Sequence, residues 1–347
     1  MKTSILLSAA FVLSGVAGFY PAQAQDLRLT GSGASFPFPL YSSWFKDFSR
    51  QTQGVTVDYQ AKGSGAGIQD FTNNTVDFAA SDAAMSDEEI AKIKQGVVLL
   101  PMTAGEIVLS YNLDGVRELK LPRDVYPDIF AGKIAKWNDP KIAAANPGVK
   151  LPDQNITVVA RSDSSGTTYV FTGHLSEINP AFKSSVGHGT TVQWPTAFVK
   201  APKNDGVTAT IKQTPGAIGY IEYTYAIATK QPMAVLQNKA GHYIAPSDES
   251  GKAALASAAF PDKALPGSDA PDLRVWLFDP AGDNAYPIAT FTWMLFYKDQ
   301  DDAKAKVLRD LVEYGLTKGQ AMAPKMGYIP LPDSVIAQVK KAAALIQ

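Results

Sequence analysis

Three observations place this chain in the α/β class, with a mainly parallel sheet covered by helices. Short apolar runs of strand character alternate with helix-like stretches through the first hundred residues, an order that leaves successive strands parallel and the connecting helices on the sheet faces. The length, 347 residues, suggests about two domains at roughly 100–200 residues each. A hydrophobic share of 46% is enough for a core in each and excludes a disordered chain.

Taken in order, the chain begins as an export signal. Lys2 precedes an apolar stretch from Ile5 to Gly18, and Ala22-Gln23-Ala24 supplies a small-x-small cleavage site. The stretch is shorter than the roughly 20 residues that span a bilayer, so residues 1–24 are expected to be removed and the mature chain to start at Gln25. Leu27 to Thr30 then reads as a strand, Leu40 to Arg50 as a helix with Trp44, Phe45 and Phe48 on one face, and Val55 to Tyr59 as an alternating strand. A second cycle follows: a helix over Gly67 to Asn73, a strand over Val76 to Ala80, and a helix over Ser86 to Gln95 whose Ser86 and Glu89 have capping-box spacing.

Val97 to Asn112 is almost continuously apolar and long enough to pass from one lobe to another. The pattern then restarts with a helix over Asp124 to Ala131, a strand over Ile156 to Ala160 and a helix over Ser165 to Leu175. Pro and Gly punctuate Ala201 to Gly219, Ile218 to Tyr223 is an apolar strand, and Ser247 to Asp272 reads as loop. Strand character returns after Asp283, where Trp293, Phe296 and Tyr297 are candidate core residues. Asp301 to Leu316 is an amphipathic helix with Val307, Leu308, Leu311 and Tyr314 facing inward. The apolar run Ala285 to Tyr297 contains Pro287 and is flanked by charge, so it is not read as a membrane span.

Composition removes several function classes. Lys plus Arg number 32 against 33 Asp plus Glu, so no long-range positive field draws in phosphate backbones and no nucleic-acid partner is expected. The absence of cysteine excludes disulfides, thiolate metal sites, a thiol nucleophile and a lipidated N-terminal cysteine. His174, His188 and His242 lack zinc-ligand spacing, and neither a GxSxG elbow nor a GxxxxGK[ST] loop occurs, so no metal, cofactor or catalytic set is expected. Ser43 and Lys46 have SxxK spacing without its partner motifs, so Lys46 is read as a solvated helix residue.

Three segments place small hydrogen-bonding residues at strand ends: GSGASFPFPLY at 31–41, KGSGAGIQDF at 62–71 and RSDSSGTTYVF at 161–171. A Gly and Ser turn between a strand and a helix exposes N–H groups at the helix start, where an anion can accept them. Each has a plainer reading as well: Gly63 to Gly67 as a tight turn, Ser165 as a helix N-cap. Arg161 is more telling, because Asp163 two residues on can hold its guanidinium by a charge-assisted bond. Asp82 either caps the next helix or pairs with Arg161, or it serves an anion that carries a hydrogen. Orthophosphate near neutral pH keeps an O–H that an ionised carboxylate accepts; sulfate has none and would face an unpaired lone pair.

These segments, with DFAASD at 77–82, PGAIGYIEY at 215–223, AYPI at 285–288 and GYIPLP at 327–332, closely resemble the periplasmic phosphate-binding proteins of high-affinity phosphate ABC transporters, the PstS family, over nearly the whole mature chain. The resemblance implies a two-lobed type II periplasmic-binding-protein fold with two interlobe crossovers and a ligand cleft. One lobe would comprise residues 25–101 plus 277–347 and the other 102–276. It also implies that a dehydrated phosphate is bound by Ser35, Phe36, Ser64, Asp82, Arg161, Ser165, Gly166 and Thr167, with Asp163 behind Arg161. Ser35 stands where many members have Thr, which keeps the hydroxyl, and Lys62 adjoins the second loop. The expected protein is a non-enzymatic, monomeric, non-lipidated periplasmic receptor that delivers phosphate to an inner-membrane ABC permease. The alternatives are an exported phosphatase-like enzyme and a surface adhesin or biofilm protein on the same fold.

Overall fold

A computed structural model describes residues 26–347, so the expected signal at 1–24 lies outside the described residues. The strands follow in chain order as β1 Leu27–Gly33, β2 Val55–Ala61, β3 Phe78–Ser81, β4 Val97–Tyr111, β5 Lys120–Leu121, β6 Thr157–Arg161, β7 Val199–Ala201, β8 Ala217–Glu222, β9 Val235–Gln237, β10 Tyr243–Ile244 and β11 Ala289–Tyr297. Eight form one sheet in the order β2-β1-β3-β11-β4-β8-β6-β7, and β10-β9-β5 form a small one.

β4 is buried along its whole length, which is why its sequence is apolar without alternation. Val97 to Glu106 pair antiparallel with β11, and Ile107 to Tyr111 pair antiparallel with β8. Two wings, β2-β1-β3-β11 and β8-β6-β7, therefore share one strand, giving the two-lobed α/β architecture. Pro101 sits where the β4–β11 register shifts, between Thr292 and Trp293; a residue without an N–H is tolerated at such an irregularity.

The sheet is mixed, not mainly parallel as expected. β1 runs parallel to β2 and β3, and β6 to β7 and β8, whereas β11 opposes β3 and β4, and β4 opposes β8. Local strand and helix alternation dictates direction within each wing. It does not constrain β11, which arrives from the far end of the chain.

Helices follow most of the expected positions. Phe38–Gln51 buries Leu40, Tyr41, Trp44, Phe45 and Phe48 against the sheet, and Lys46 is exposed, as read. Asp302–Tyr314 buries Ala305, Leu308, Leu311, Val312 and Tyr314, with Val307 only half-buried. The capping box of Ser86 and Glu89 forms, but its helix is only Asp87–Ile90. Two stretches expected to be irregular are helical: Lys203–Gln213, and Asp248–Leu255 with its own Ser247 and Ser250 capping box. Gly206 and Gly251 lowered the apparent propensity of both, and packing overrode it. Ser250 donates to the buried Glu106 at 2.8 Å, whose carboxyl burial pushes up to about 8.

Candidate anion-binding site

A strand followed by a helix on the same wing brings the strand's carboxyl end and the helix start to one edge of the sheet. Here the edges of the two wings face each other. From the first wing come the loop after β1 with Ser35 and Phe36, the turn after β2 with Ser64, and Asp82 after β3. From the second come Arg161 through Thr167 after β6, and Lys203 with Asn204 after β7. Gly65 N–H donates to Ser164 O at 3.1 Å across the line between wings.

Two glycines permit this approach. Gly63, at φ +98°, precedes the helix Ser64–Thr72, and a Cβ there would lie 2.4 Å from Asp163 Oδ2. A Cβ on Gly166, first residue of the helix Gly166–Ile178, would lie 2.5 Å from Ser64 Oγ and 2.7 Å from Asp82 Cβ. Any larger residue would hold the wings apart.

Arg161 ends β6 and is only 5% exposed. Its Nε donates to Asp163 Oδ1 at 2.8 Å and its Nη2 to Oδ2 at 2.6 Å, the bidentate fork that fixes a guanidinium plane. Lys203 N–H adds a bond to Asp163 Oδ1 at 2.9 Å. Burial alone would push Asp163 up, but the Arg161 bonds and charge hold its carboxyl below the usual carboxylate range. The remaining nitrogen, Nη1, is buried and has no acceptor among the described residues.

Asp82 is 1% exposed, with Thr292 Oγ1 donating to Oδ1 at 2.9 Å and Thr167 Oγ1 donating to Oδ2 at 3.3 Å. Its own N–H donates to Ser64 Oγ at 3.3 Å. Burial pushes the carboxyl up to about 7, against the bonds from Thr292 and Thr167 and the charge of Arg161.

Ser35 Oγ accepts from Asn204 N–H at 3.1 Å and from Asn204 Nδ2 at 3.0 Å, and Ser35 O accepts from Tyr225 hydroxyl at 2.6 Å. Phe36 is fully buried, and its carbonyl accepts from Tyr328 hydroxyl at 2.7 Å. Ser165 caps its helix through the 3.0 Å bond from Thr168 N–H, while its own N–H is engaged by Thr190 O at 2.8 Å. That leaves its hydroxyl proton for another acceptor. Lys62 turns away, its Nζ donating to Asp70 Oδ2 at 2.9 Å.

The structure thus brings the loops that carry all eight residues singled out from the sequence to the facing edges of the two wings, with Asp163 beside Arg161. Sequence reasoning missed two more. Asn204 bridges the wings, donating to Ser35 and Thr167 and accepting from Glu222 N–H; it lies in the stretch read as irregular. Thr292 lies in an apolar strand read as core, and its only signal is a hydroxyl where a β-branched hydrocarbon would serve the strand equally well.

Chemically the cleft offers neutral hydroxyl and helix-start donors, one clamped guanidinium and one titratable carboxyl, a set suited to binding a small oxyanion. His174 is remote, bonded to Tyr126 hydroxyl and Phe278 O, and burial lowers it to about 4. No group of three or more His, Asp or Glu able to hold a metal occurs among the described residues. Nor is any helix among them long and apolar enough to cross a membrane.

Comparison with known proteins gives consistent results. The profile of the PBP superfamily domain matches residues 20–317. The phosphate-binding protein PstS of Xylella fastidiosa strain Temecula1 is 38% identical over 321 residues, 92% of this chain and 85% of that protein. That of Pasteurella multocida is 37% identical over 334 residues, 95% of this chain and 94% of that protein. Among solved structures, the high-affinity periplasmic phosphate-binding protein PfluDING bound with phosphate superposes with a TM-score of 0.73 at 22% identity, covering 91% and 93% of the two chains.

Proposed function

The chain belongs to the PBP superfamily and, within it, to the PstS phosphate-binding proteins, and on that premise we propose that it is the receptor that captures inorganic phosphate between its wings and hands it to an inner-membrane ABC permease. One observation carries the reading: a buried guanidinium, fixed by Asp163 and with Nη1 unpartnered among the described residues, lies across the cleft from a buried carboxyl. An anion satisfies the first, and the second, which already accepts from Thr292 and Thr167, has acceptor capacity left that only an anion with its own O–H can use.

In this reading Arg161 donates to the phosphate. Ser64 and Ser165 donate hydroxyl protons, and the helix starts at Ser64, Gly166 and Thr167 add N–H groups. Ser35 and Phe36 close the site from the β1 loop, and Asp82 accepts the phosphate hydrogen. A micromolar dissociation constant corresponds to about −8 kcal/mol, within reach of a few charge-assisted bonds in a preformed site. The lobes divide at 101/102 and 276/277. At the second boundary the chain is tied across the division: Arg274, in the 102–276 lobe, donates to Met85 O at 2.7 Å in the other lobe, while Asp279, in the 277–347 part, pairs with Arg123 at 2.6 Å. The chain acts as a monomer in the periplasm after loss of residues 1–24, without lipid and without catalysis.

Calorimetric titration of protein stripped of endogenous ligand, with phosphate and sulfate in parallel, tests the reading. One phosphate per chain at micromolar affinity or tighter is expected, with sulfate at least about 100-fold weaker. Equal affinity for the two would overturn it. Steady hydrolysis of a phosphate monoester that disappears in Asp82→Ala and Arg161→Ala would instead favour the enzyme.

A further inference from the structure

We infer that Thr292 is a positioning residue for phosphate selectivity: from behind the cleft it holds Asp82 with one carboxylate oxygen tied back and the other turned to the ligand. The inference rests on the function proposed above. The register places it there. Trp293 pairs with Ser81 in the antiparallel β11–β3 ladder, so Thr292 lies one step beyond, at Asp82, and the β4–β11 register shifts at the same residue.

Thr292 is fully buried in a strand whose other residues are mostly apolar. A hydroxyl there costs stability unless it is bonded, and Val would suit the strand as well. Its neighbour on the same face, Thr290, satisfies its hydroxyl on the adjacent Phe291 O at 2.8 Å. Thr292 reaches across strands to Asp82 Oδ1 at 2.9 Å, leaving Oδ2 to Thr167 on the opposite wing. A donor on one oxygen restrains the rotation of the carboxyl about its Cβ–Cγ bond. It also favours the ionised form that can accept a hydrogen from the ligand.

Other groups act on Asp82 and are common to every variant compared below. Arg161 favours its ionised form and Asp163 opposes it, while Tyr41, Tyr59, Glu222 and Tyr225 also lie within electrostatic reach. Phosphate's own ionisation is likewise shared.

The test is the ratio of phosphate to sulfate affinity from pH 5 to 9 in the full-length mature protein, Thr292→Val and Thr292→Ser, by calorimetry. In the unaltered protein the ratio should rise with pH as Asp82 ionises. Loss of a hydrogen bond to a charged group corresponds to about one pH unit or more, so Thr292→Val should move that rise upward by this amount and lower the ratio about fivefold or more at pH 7. Thr292→Ser should restore it. Should the valine variant not fold, Thr292→Ala is read in the same way. Superimposable pH profiles for the hydroxyl-free variant and the unaltered protein would overturn the inference while leaving the receptor function intact. An unaltered protein that binds the two anions equally would instead overturn the function.

Discussion

The two wings face each other with different electrostatic designs. On the β6 side the charge is a cation, Arg161, neutralised within its own wing by a bidentate Asp163. On the β3 side it is an anion, Asp82, with no cation of its own wing bonded to it and only hydroxyl donors, Thr292 and Thr167, on its oxygens. On one side Arg161 holds the Asp163 carboxyl below its usual range, and on the other burial leaves the Asp82 carboxyl near its midpoint, at about 7. The contrast separates two tasks. In the proposed receptor, the clamped guanidinium would supply affinity for oxyanions in general, and the conditional acceptor would decide which of them stays.

Breaking the clamped side should have the largest effect. Arg161→Ala removes the charged donor and leaves the half-buried Asp163 without its partner, for which about 2–5 kcal/mol of phosphate binding is expected to be lost. Unchanged affinity by calorimetry would remove Arg161 from the site.

Altering the conditional side should change selectivity more than affinity. Asp82→Asn replaces an acceptor by a group that can also donate, so the phosphate-to-sulfate ratio should fall by about tenfold or more, roughly 1.4 kcal/mol, with a smaller loss of phosphate binding. If sulfate is still rejected as before, selectivity resides elsewhere in the cleft.

The smallest expected effect is on stability. Asp82 and Glu106 sit at about 7 and about 8 when folded, against ordinary values of 3.8 and 4.5. Across that interval the folded chain binds more protons than the unfolded one. Their contribution is therefore complete below about pH 4 and is lost as pH rises through 7 and 8. The melting temperature of ligand-free protein should fall by a few degrees between pH 5 and 8, and Glu106→Gln should flatten the slope. A melting temperature that rises over this range would show that the two acids are ionised in the folded chain.

Much of the site was legible because its chemistry is local. The Gly and Ser turns, the RSDSSGTT run and Asp82 each follow a strand within a few residues, and Arg161 meets Asp163 through neighbouring positions of one turn. The same locality gave the helix at Leu40 to Arg50 and the cap at Ser165. It failed at Lys203–Gln213, where low intrinsic propensity hid a helix that packing supports, and with it Asn204.

From the amino-acid order alone follow the α/β class, the strand ends that carry donors and the pairing of Arg161 with Asp163, since turn chemistry and hydrophobic period act over a few residues. Only the tertiary structure decided that β11 enters antiparallel beside β3, that Thr292 consequently lies behind Asp82, and that Asn204 closes on Ser35. Those contacts join residues 169 to 210 positions apart. No local signal encodes which distant strand will fill a gap in a sheet, because that choice is made by the packing of the whole core.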